Sequence, residues 1–461
     1  MSSQRKIVKI GFNIVCVHYL RSMALLEYLE KTGVRLFHIK LLVICFTVYG
    51  LAAMNIMLIS VALPVIKSDW KLDPLVTGII LASGFLGMFI GAVMSGYLSD
   101  VIGRKKTLII MVTISSLFTA MNALALDPAT LSLLRILAGV GLGGTLILPG
   151  VYLAEYIPSE YRGRFVGLTE TAWVWGVLAG ILAGYFIIPA YGWRLTFCIA
   201  LAPLALLPFI VKHLPESIRY LLEKKNIPEL KKVLKNLGLP VNNLKYIEIK
   251  YVKLTFIKAL QELFSVKYWH RTLLLWILWS SLIYTYYGIF LWLPSIYYSK
   301  LGFKIVKTLE WTLIVTLAQI PGYYSAVLLL DKIGRKPLLS TYLIIAGLAC
   351  LVMSTAHDIN SILLSSIVIS FFNLGAWSIL YAYTPELYPT RVRGTGAGAA
   401  SSVGRIAGIL APAVTGYLMA IAGEELVWAF AVFALVHWIA GFAVILLGEE
   451  TKGKMLEEIA E

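Results

Sequence analysis

Two arginines and one glutamate lie deep inside long apolar runs of this chain: Arg135, Arg405 and Glu170. A charge held in hydrocarbon costs about 2.5–3.5 kcal/mol on insertion scales, so each needs compensation. The guanidinium of arginine is planar and matches a carboxylate or phosphate through paired N–H groups. Arg405 is therefore a candidate anchor for an anionic solute. The alternative is a structural hydrogen bond from Arg405 to a carbonyl or to Asn373. A desolvated carboxyl keeps its proton where an exposed one has lost it, so Glu170 is a candidate proton carrier. The alternative makes it a partner of Arg162 or Arg164. Arg135 would serve a proton relay only beside an acid. Asn55, in the first apolar run, can hydrogen-bond but cannot titrate. Trp173, Tyr286, Tyr287, Gln319, Asn373, Trp377 and Tyr381 supply rings and polar groups of the kind that line small-molecule sites. Each ring has a competing role in packing or as a membrane-interface anchor. His437 reads as a packing histidine.

The elements that must position these groups are membrane helices. Of 461 residues, 59% are apolar and 14% charged, whereas soluble domains are about half apolar and a quarter charged. Apolar runs near 39–63, 75–98, 107–126, 131–154, 165–187 and 195–213 are followed by six more near 272–294, 309–330, 338–356, 361–384, 395–420 and 425–447. Each matches the roughly 20 residues a helix needs to cross a bilayer. The expected fold is all-α, with twelve transmembrane helices in two pseudo-symmetric six-helix bundles. The expected divisions are a cytosolic segment 1–38, a bundle 39–214, a cytosolic linker 215–271, a bundle 272–447 and a tail 448–461. Met23 opens a second possible start, which would make 1–22 an upstream extension. No cleavable signal peptide is evident.

The net charge of +15 would suit nucleic acid, but its placement argues against that partner. Six of the 40 Lys and Arg fall in outer loops if the N-terminus is inside: Lys67, Lys71, Arg194, Lys300, Lys304 and Lys307. Arg135 and Arg405 lie within spans, and the remaining 32 fall in cytosolic segments. That asymmetry places both termini in the cytoplasm of a multi-pass plasma-membrane protein. Four scattered cysteines give no disulfide framework. No metal cluster, nucleophile–base set or phosphate-binding glycine loop is seen, so neither enzyme chemistry, a metal nor a cofactor is expected.

A repeat at one offset organises the chain. Asp100-Val-Ile-Gly103-Arg104-Lys105 returns 231 residues later as Asp331-Lys-Ile-Gly334-Arg335-Lys336. Glu155, Pro158, Arg162 and Gly163 return at the same distance as Glu386, Pro389, Arg393 and Gly394. Parallel repeats of this kind point to a rocking transporter with its site between the halves. Asp100, Arg104, Glu155, Arg162 and their counterparts Asp331, Arg335, Glu386, Arg393 are candidate cytosolic gate residues, carboxylates and guanidinium groups that latch and release. The plainer reading is that the basic loops only set topology. Arg135, Glu170 and Arg405 have no counterparts, since the paired positions hold Ser366, Ser401 and Val174. Fold symmetry therefore does not require them.

These residues resemble the major facilitator superfamily. The Gly96–Lys106 loop is similar to its signature between the second and third helices, and Arg135-Ile-Leu-Ala-Gly139-Val-Gly141-Leu-Gly143-Gly144 to its fourth-helix motif. Pro215-Glu-Ser217 and Glu450-Thr451-Lys452-Gly453 resemble sugar-porter motifs. Thr384-Pro-Glu386-Leu-Tyr388-Pro resembles sugar porters, organic-ion and synaptic-vesicle-glycoprotein-like transporters. Gly404-Arg405 resembles aromatic-acid/proton symporters. In related symporters the fourth-helix arginine works with a first-helix acid, but Tyr49 and Ala52 stand at those positions here. The resemblance implies a monomeric secondary transporter of a small organic solute. An organic anion, carried with or without protons, is the first expectation. A sugar porter or facilitator, and a sensor that moves nothing, are the alternatives.

Overall fold

The computed structural model describes residues 33–237, 256–388, 390–422 and 426–452. The 1–22 extension, the middle of the linker, Pro389, Gly453 and most of the tail lie outside the described residues. The first helices are α1 (Leu36–Asp69), α2 (Pro74–Ile102), α3 (Arg104–Met121), α4 (Pro128–Tyr156) and α5 (Ser159–Thr196). Short helices α6 (Ala202–Ala205), α7 (Leu207–His213), α8 (Ile218–Glu223), α9 (Ile227–Asn236) and α10 (Phe256–Leu263) follow. The second half holds α11 (Trp269–Phe290), α12 (Leu293–Ser299), α13 (Ile305–Leu317), α14 (Gln319–Ile333), α15 (Arg335–Ser354), α16 (Ile359–Glu386), α17 (Thr390–Ile421) and α18 (Val427–Leu447).

Local sequence sets where crossings begin. Asp73 accepts from the N–H of Val76, and Asp127 from those of Ala129 and Thr130. Each is followed by proline at the first helical position, which has no N–H to satisfy. Interior prolines 64, 149, 385 and 412 are tolerated because neighbouring helices can satisfy the freed carbonyls.

Eleven stretches among the described residues are long and apolar enough to cross a membrane, and one of them, Tyr161–His213, runs 53 residues. As one helix it would span about 80 Å, far beyond a hydrocarbon core of about 30 Å. Gly192, at φ 78°, breaks it into two. Twelve crossings result.

Within the first half α1 packs on α5, and α2 and α3 on α4. Within the second, α15 packs on α16 and α18, α14 on α16, and α11 on α17. Several contacts are so close that only glycine fits, two of them closest of all. A Cβ on Gly91 of α2 would lie 1.9 Å from the Val140 carbonyl oxygen, and one on Gly176 of α5 would lie 1.8 Å from that of Gly50. Small residues that let backbones approach are a main source of helix association in lipid.

The halves are in closest contact at one end, and nearer the other end Tyr323 donates across them to the Gly167 carbonyl at 3.4 Å. Ser60 Oγ lies 3.0 Å from the carbonyl oxygens of Phe290 and Leu291, and Tyr185 donates to Glu310 at 3.2 Å. A Cβ on Gly78 of α2 would sit 2.6 Å from the Pro412 carbonyl oxygen of α17. This contact continues to Phe85 and Gly408, then α2 and α17 diverge. Val93, Met94 and Tyr97 are exposed, and nothing approaches Gly394 or Gly398 within 4 Å. The open end is the one carrying the two Asp-x-x-Gly-Arg-Lys loops, here called the basic end.

Candidate functional site

The separation of the halves creates a cavity of about 240 Å³ at mid-depth, open toward the basic end. Helical spacing delivers its lining. Glu170 and Trp173 of α5 are three residues apart, Trp377 and Tyr381 of α16 four apart, and Ser401 and Arg405 of α17 four apart. Residues three or four apart share a helix face. Tyr49 of α1, Tyr286 and Tyr287 of α11 and Tyr323 of α14 complete the wall.

Aromatic rings close the inner end. Trp173 Nε1 donates to the Tyr286 hydroxyl at 2.6 Å, across the two halves. Phe85 and Tyr287 approach to 4.4 Å between ring centroids, also across the halves. Trp279, Trp377 and Tyr381 form a second group with centroids 5.4–5.6 Å apart. Such surfaces accept a flat ring through stacked or edge-on contacts.

Two charged groups interrupt this wall. Tyr49 donates a hydrogen bond to Glu170, and Tyr381 from the other half lines the same cavity. Arg405 is enclosed by protein yet keeps surface open to the cavity. The phenols of Tyr287, Tyr381 and Tyr49 are within electrostatic reach of it. Among the described residues no carboxylate lies within ion-pair distance of Arg405, and no acceptor takes its N–H groups. A guanidinium so placed can bind an anion through two N–H groups at once.

The cavity brings together Arg405, Glu170, Trp173, Tyr286, Tyr287 and Trp377. It does not bring in Asn373, which is fully buried and donates to Thr285 Oγ1 at 3.0 Å while pairing with His437 at 3.1 Å. Leu374, the next residue, lines the cavity instead. Gln319 borders a smaller void that Tyr286 also lines. Arg135 lies outside the cavity and donates to the carbonyls of Ile80 at 2.9 Å and Leu81 at 3.4 Å. Asn55 does not bond it. Arg162 donates to the Ile157 carbonyl rather than to Glu170.

At the basic end Arg104 pairs with Asp100 at 3.1 Å and Glu155 at 3.4 Å, and Arg335 with Asp331 and Glu386 at 3.0 Å each. Every one of these pairs lies within a single half. They are intact in the described state, in which the basic end is open. Both partners sit on one repeat and move with it. Arg162 and Arg393 each donate to the carbonyl five residues earlier, Ile157 and Tyr388.

Sequence reasoning did not assign roles to Tyr49, Tyr323 or Trp279, nor to Glu216 and Glu450. The two glutamates cap α3 and α15, accepting from Arg104 and Lys105, and from Arg335 and Lys336. Glu216 and Glu450 stand 234 residues apart, three more than the repeat offset, and so escape a search at 231.

Comparison with known proteins agrees with this architecture. The model of the family described as "Sugar (and other) transporter" matches residues 39–461. The niacin transporter NiaP of Acinetobacter baylyi is 38% identical over 441 residues, covering 95% of this chain and 100% of NiaP. Synaptic vesicle 2-related protein of Rattus norvegicus is 27% identical, covering 94% of this chain and 82% of that one. The xylose transporter XylE from E. coli, in a partially occluded inward-open conformation, aligns with a TM-score of 0.71 at 20% identity, over 91% of this chain and 99% of XylE. With its twelve crossings, its central cavity and relatives that are transporters rather than enzymes, this chain belongs to the sugar (and other) transporter family of the major facilitator superfamily and is a multi-pass membrane transporter of small solutes.

Proposed function

We propose that the chain carries a small aromatic carboxylate of the pyridinecarboxylate type across the plasma membrane by alternating access. The observation that carries this reading is Arg405, a cavity guanidinium with no protein carboxylate beside it among the described residues. The cargo carboxylate takes that place, and the ring lies against Trp173, Tyr286 and Tyr287. The printed name of the relative NiaP supports the choice, since niacin is a pyridine bearing one carboxylate. The basic end faces the cytoplasm, following the Lys/Arg asymmetry, and the described state is inward-open. Glu170 carries the coupling proton. It accepts from Tyr49 and shares the cavity with Tyr323 and Tyr381 of the other half, so its protonation bears on how the halves meet. The protein works as a monomer, with no nucleic-acid partner.

The motifs that resemble sugar porters do not favour a sugar as cargo. Glu216, Ser217, Glu450 and Thr451 all lie at the basic end, outside the cavity lining.

The test is binding of nicotinate, nicotinamide and xylose to purified protein, with Arg405→Gln alongside. A charge-assisted hydrogen bond contributes about 1.5–3 kcal/mol, so the variant should bind nicotinate roughly 10- to 100-fold more weakly. Equal affinity for nicotinate and nicotinamide, unchanged in the variant, would refute the reading.

A further inference from the structure

Arg135 is the second intramembrane arginine, and the cargo site makes no use of it. It lies on α4, 6% exposed. Its Nε and Nη2 donate to the Ile80 and Leu81 carbonyls, which leaves Nη1 without an acceptor among the described residues. Carbonyl dipoles solvate a guanidinium but do not cancel its charge. No acid stands among the residues around it: the guanidinium borders a small void lined by Asn55, Thr119, Asn122 and the apolar residues of α2 and α4.

The other polar groups of that void are equally unmatched. Both amide atoms of Asn55, both of Asn122 and the hydroxyl of Thr119 are buried without a partner. Asn55, Thr119 and Asn122 are each 2% exposed or less. They come from three separate elements, α1, α3 and the turn after α3, and converge on the void from different sides. A buried polar group left unpaired is costly, so several at one point call for a ligand. Gly84 makes room there, since a Cβ on it would lie 2.6 Å from Arg135 Nη2.

We propose that this void binds one small monovalent anion, a halide such as chloride, held by Arg135, Asn55, Asn122 and Thr119. The charge of Arg135 selects an anion over water, because a neutral molecule leaves the guanidinium uncompensated in a low-dielectric interior. The carboxamides turn their NH2 groups inward and the Thr119 hydroxyl donates beside them. The void measures about 10 Å³, room for one water-sized particle; a monatomic halide, being larger, enters by a small outward shift of the lining side chains, and a metabolite or a phosphate is excluded. Phe85 and Met88 line both this void and the cargo cavity, so one layer of side chains separates the two. The anion takes the position where an acid on α1 would have neutralised Arg135.

The test uses full-length purified protein without cargo, so its result is independent of the cargo assignment. Thermal unfolding is followed in chloride, bromide and gluconate at matched ionic strength. A ligand that binds only the folded state raises the melting temperature with its concentration. We expect a melting temperature several degrees higher in chloride and bromide than in gluconate, and an anomalous bromide peak within hydrogen-bonding distance of Arg135 in crystals. Arg135→Gln should abolish the halide effect. Asn122→Leu keeps the arginine and should reduce it at least several-fold, so the proposal stays testable if Arg135→Gln does not fold. Equal melting in all three salts, a halide effect that survives both variants, or density for water alone beside Arg135 would each overturn it.

Discussion

The carboxylate of Glu216 accepts the backbone N–H of Arg104 at 2.8 Å and so closes the first turn of α3. Glu450 does the same for Arg335 of α15 at 3.0 Å. A helix leaves its first N–H groups unpaired, and negative charge there is favoured by the helix dipole. Both carboxylates reach in because a glycine precedes each arginine. Gly103 and Gly334 have φ 97° and 109°, and a Cβ on either would lie 2.3 or 2.5 Å from the carboxylate oxygen. Ser217 and Thr451 extend the pattern by donating to Glu155 and Glu386. Each half thus ties the start of its third crossing to the segment that follows its sixth.

The two caps should respond oppositely to pH. Burial pushes the Glu216 carboxyl above the usual 4.5 despite bonds from Ser217, Lys105 and Arg104. Burial also acts on Glu450, but N–H bonds from Lys452, Arg335 and Lys336 outweigh it and hold that carboxyl below 4.5. For Glu450, the stabilisation is present above pH 4.5 and is lost as pH falls through its depressed value. For Glu216, the folded state holds its proton longer, so stability falls as pH rises from 4.5 through its raised value. Glu450→Gln should cost about 1 kcal/mol at neutral pH, shrinking in acid. Glu216→Gln should cost less, because it removes a buried charge. Thermal unfolding across pH checks both, and equal losses at neutral pH would contradict the assignment.

Glu170→Gln separates transport from coupling. A glutamine keeps the shape and can still accept from Tyr49, but it carries no proton. Proteoliposomes with the variant should exchange labelled nicotinate for unlabelled nicotinate, yet fail to accumulate it under an inward proton gradient. Accumulation at the unmodified level would remove Glu170 from the proton path.

Ser60 holds the closed end. Its hydroxyl is 3% exposed and meets the carbonyls of Phe290 and Leu291. Ser60→Ala removes one neutral hydrogen bond, about 1 kcal/mol, and should raise the outward-open population roughly fivefold. Spin-label distances across the far ends of α1 and α12 would report it. Cys16 and the exposed Cys198 must be replaced first, while Cys45 and Cys350 are buried. An unchanged distance distribution would show that other contacts keep the end shut.

Gly91→Ala tests the α2–α4 contact. The added methyl would overlap the Val140 carbonyl, so the helices must move apart. Overpacking of this kind costs about 1–3 kcal/mol, and the melting temperature of the purified variant should fall accordingly. Gly96→Ala on the same helix is the control, since nothing lies within 4 Å of it.

The sequence by itself determined the twelve crossings, the two-fold repeat and the few residues the repeat does not require. Hydropathy over about 20 residues and the distribution of Lys and Arg are local properties, and lipid forces each apolar run into a helix that satisfies its own backbone. The exposure of Arg405 to a cavity, by contrast, depends on how far two halves stand apart. Asn373 shows the limit. It lies four residues before Trp377, yet it is buried against Thr285 and His437 while Trp377 faces the cavity. Which side of α16 meets α11 and α18 is set by packing, and the residue types do not encode it. The same holds for the basic-end pairs. Their residue types promised ion pairs, but only the tertiary structure decided that each pair closes within one half, because helix packing within a repeat brings Arg104 to Glu155 and Arg335 to Glu386.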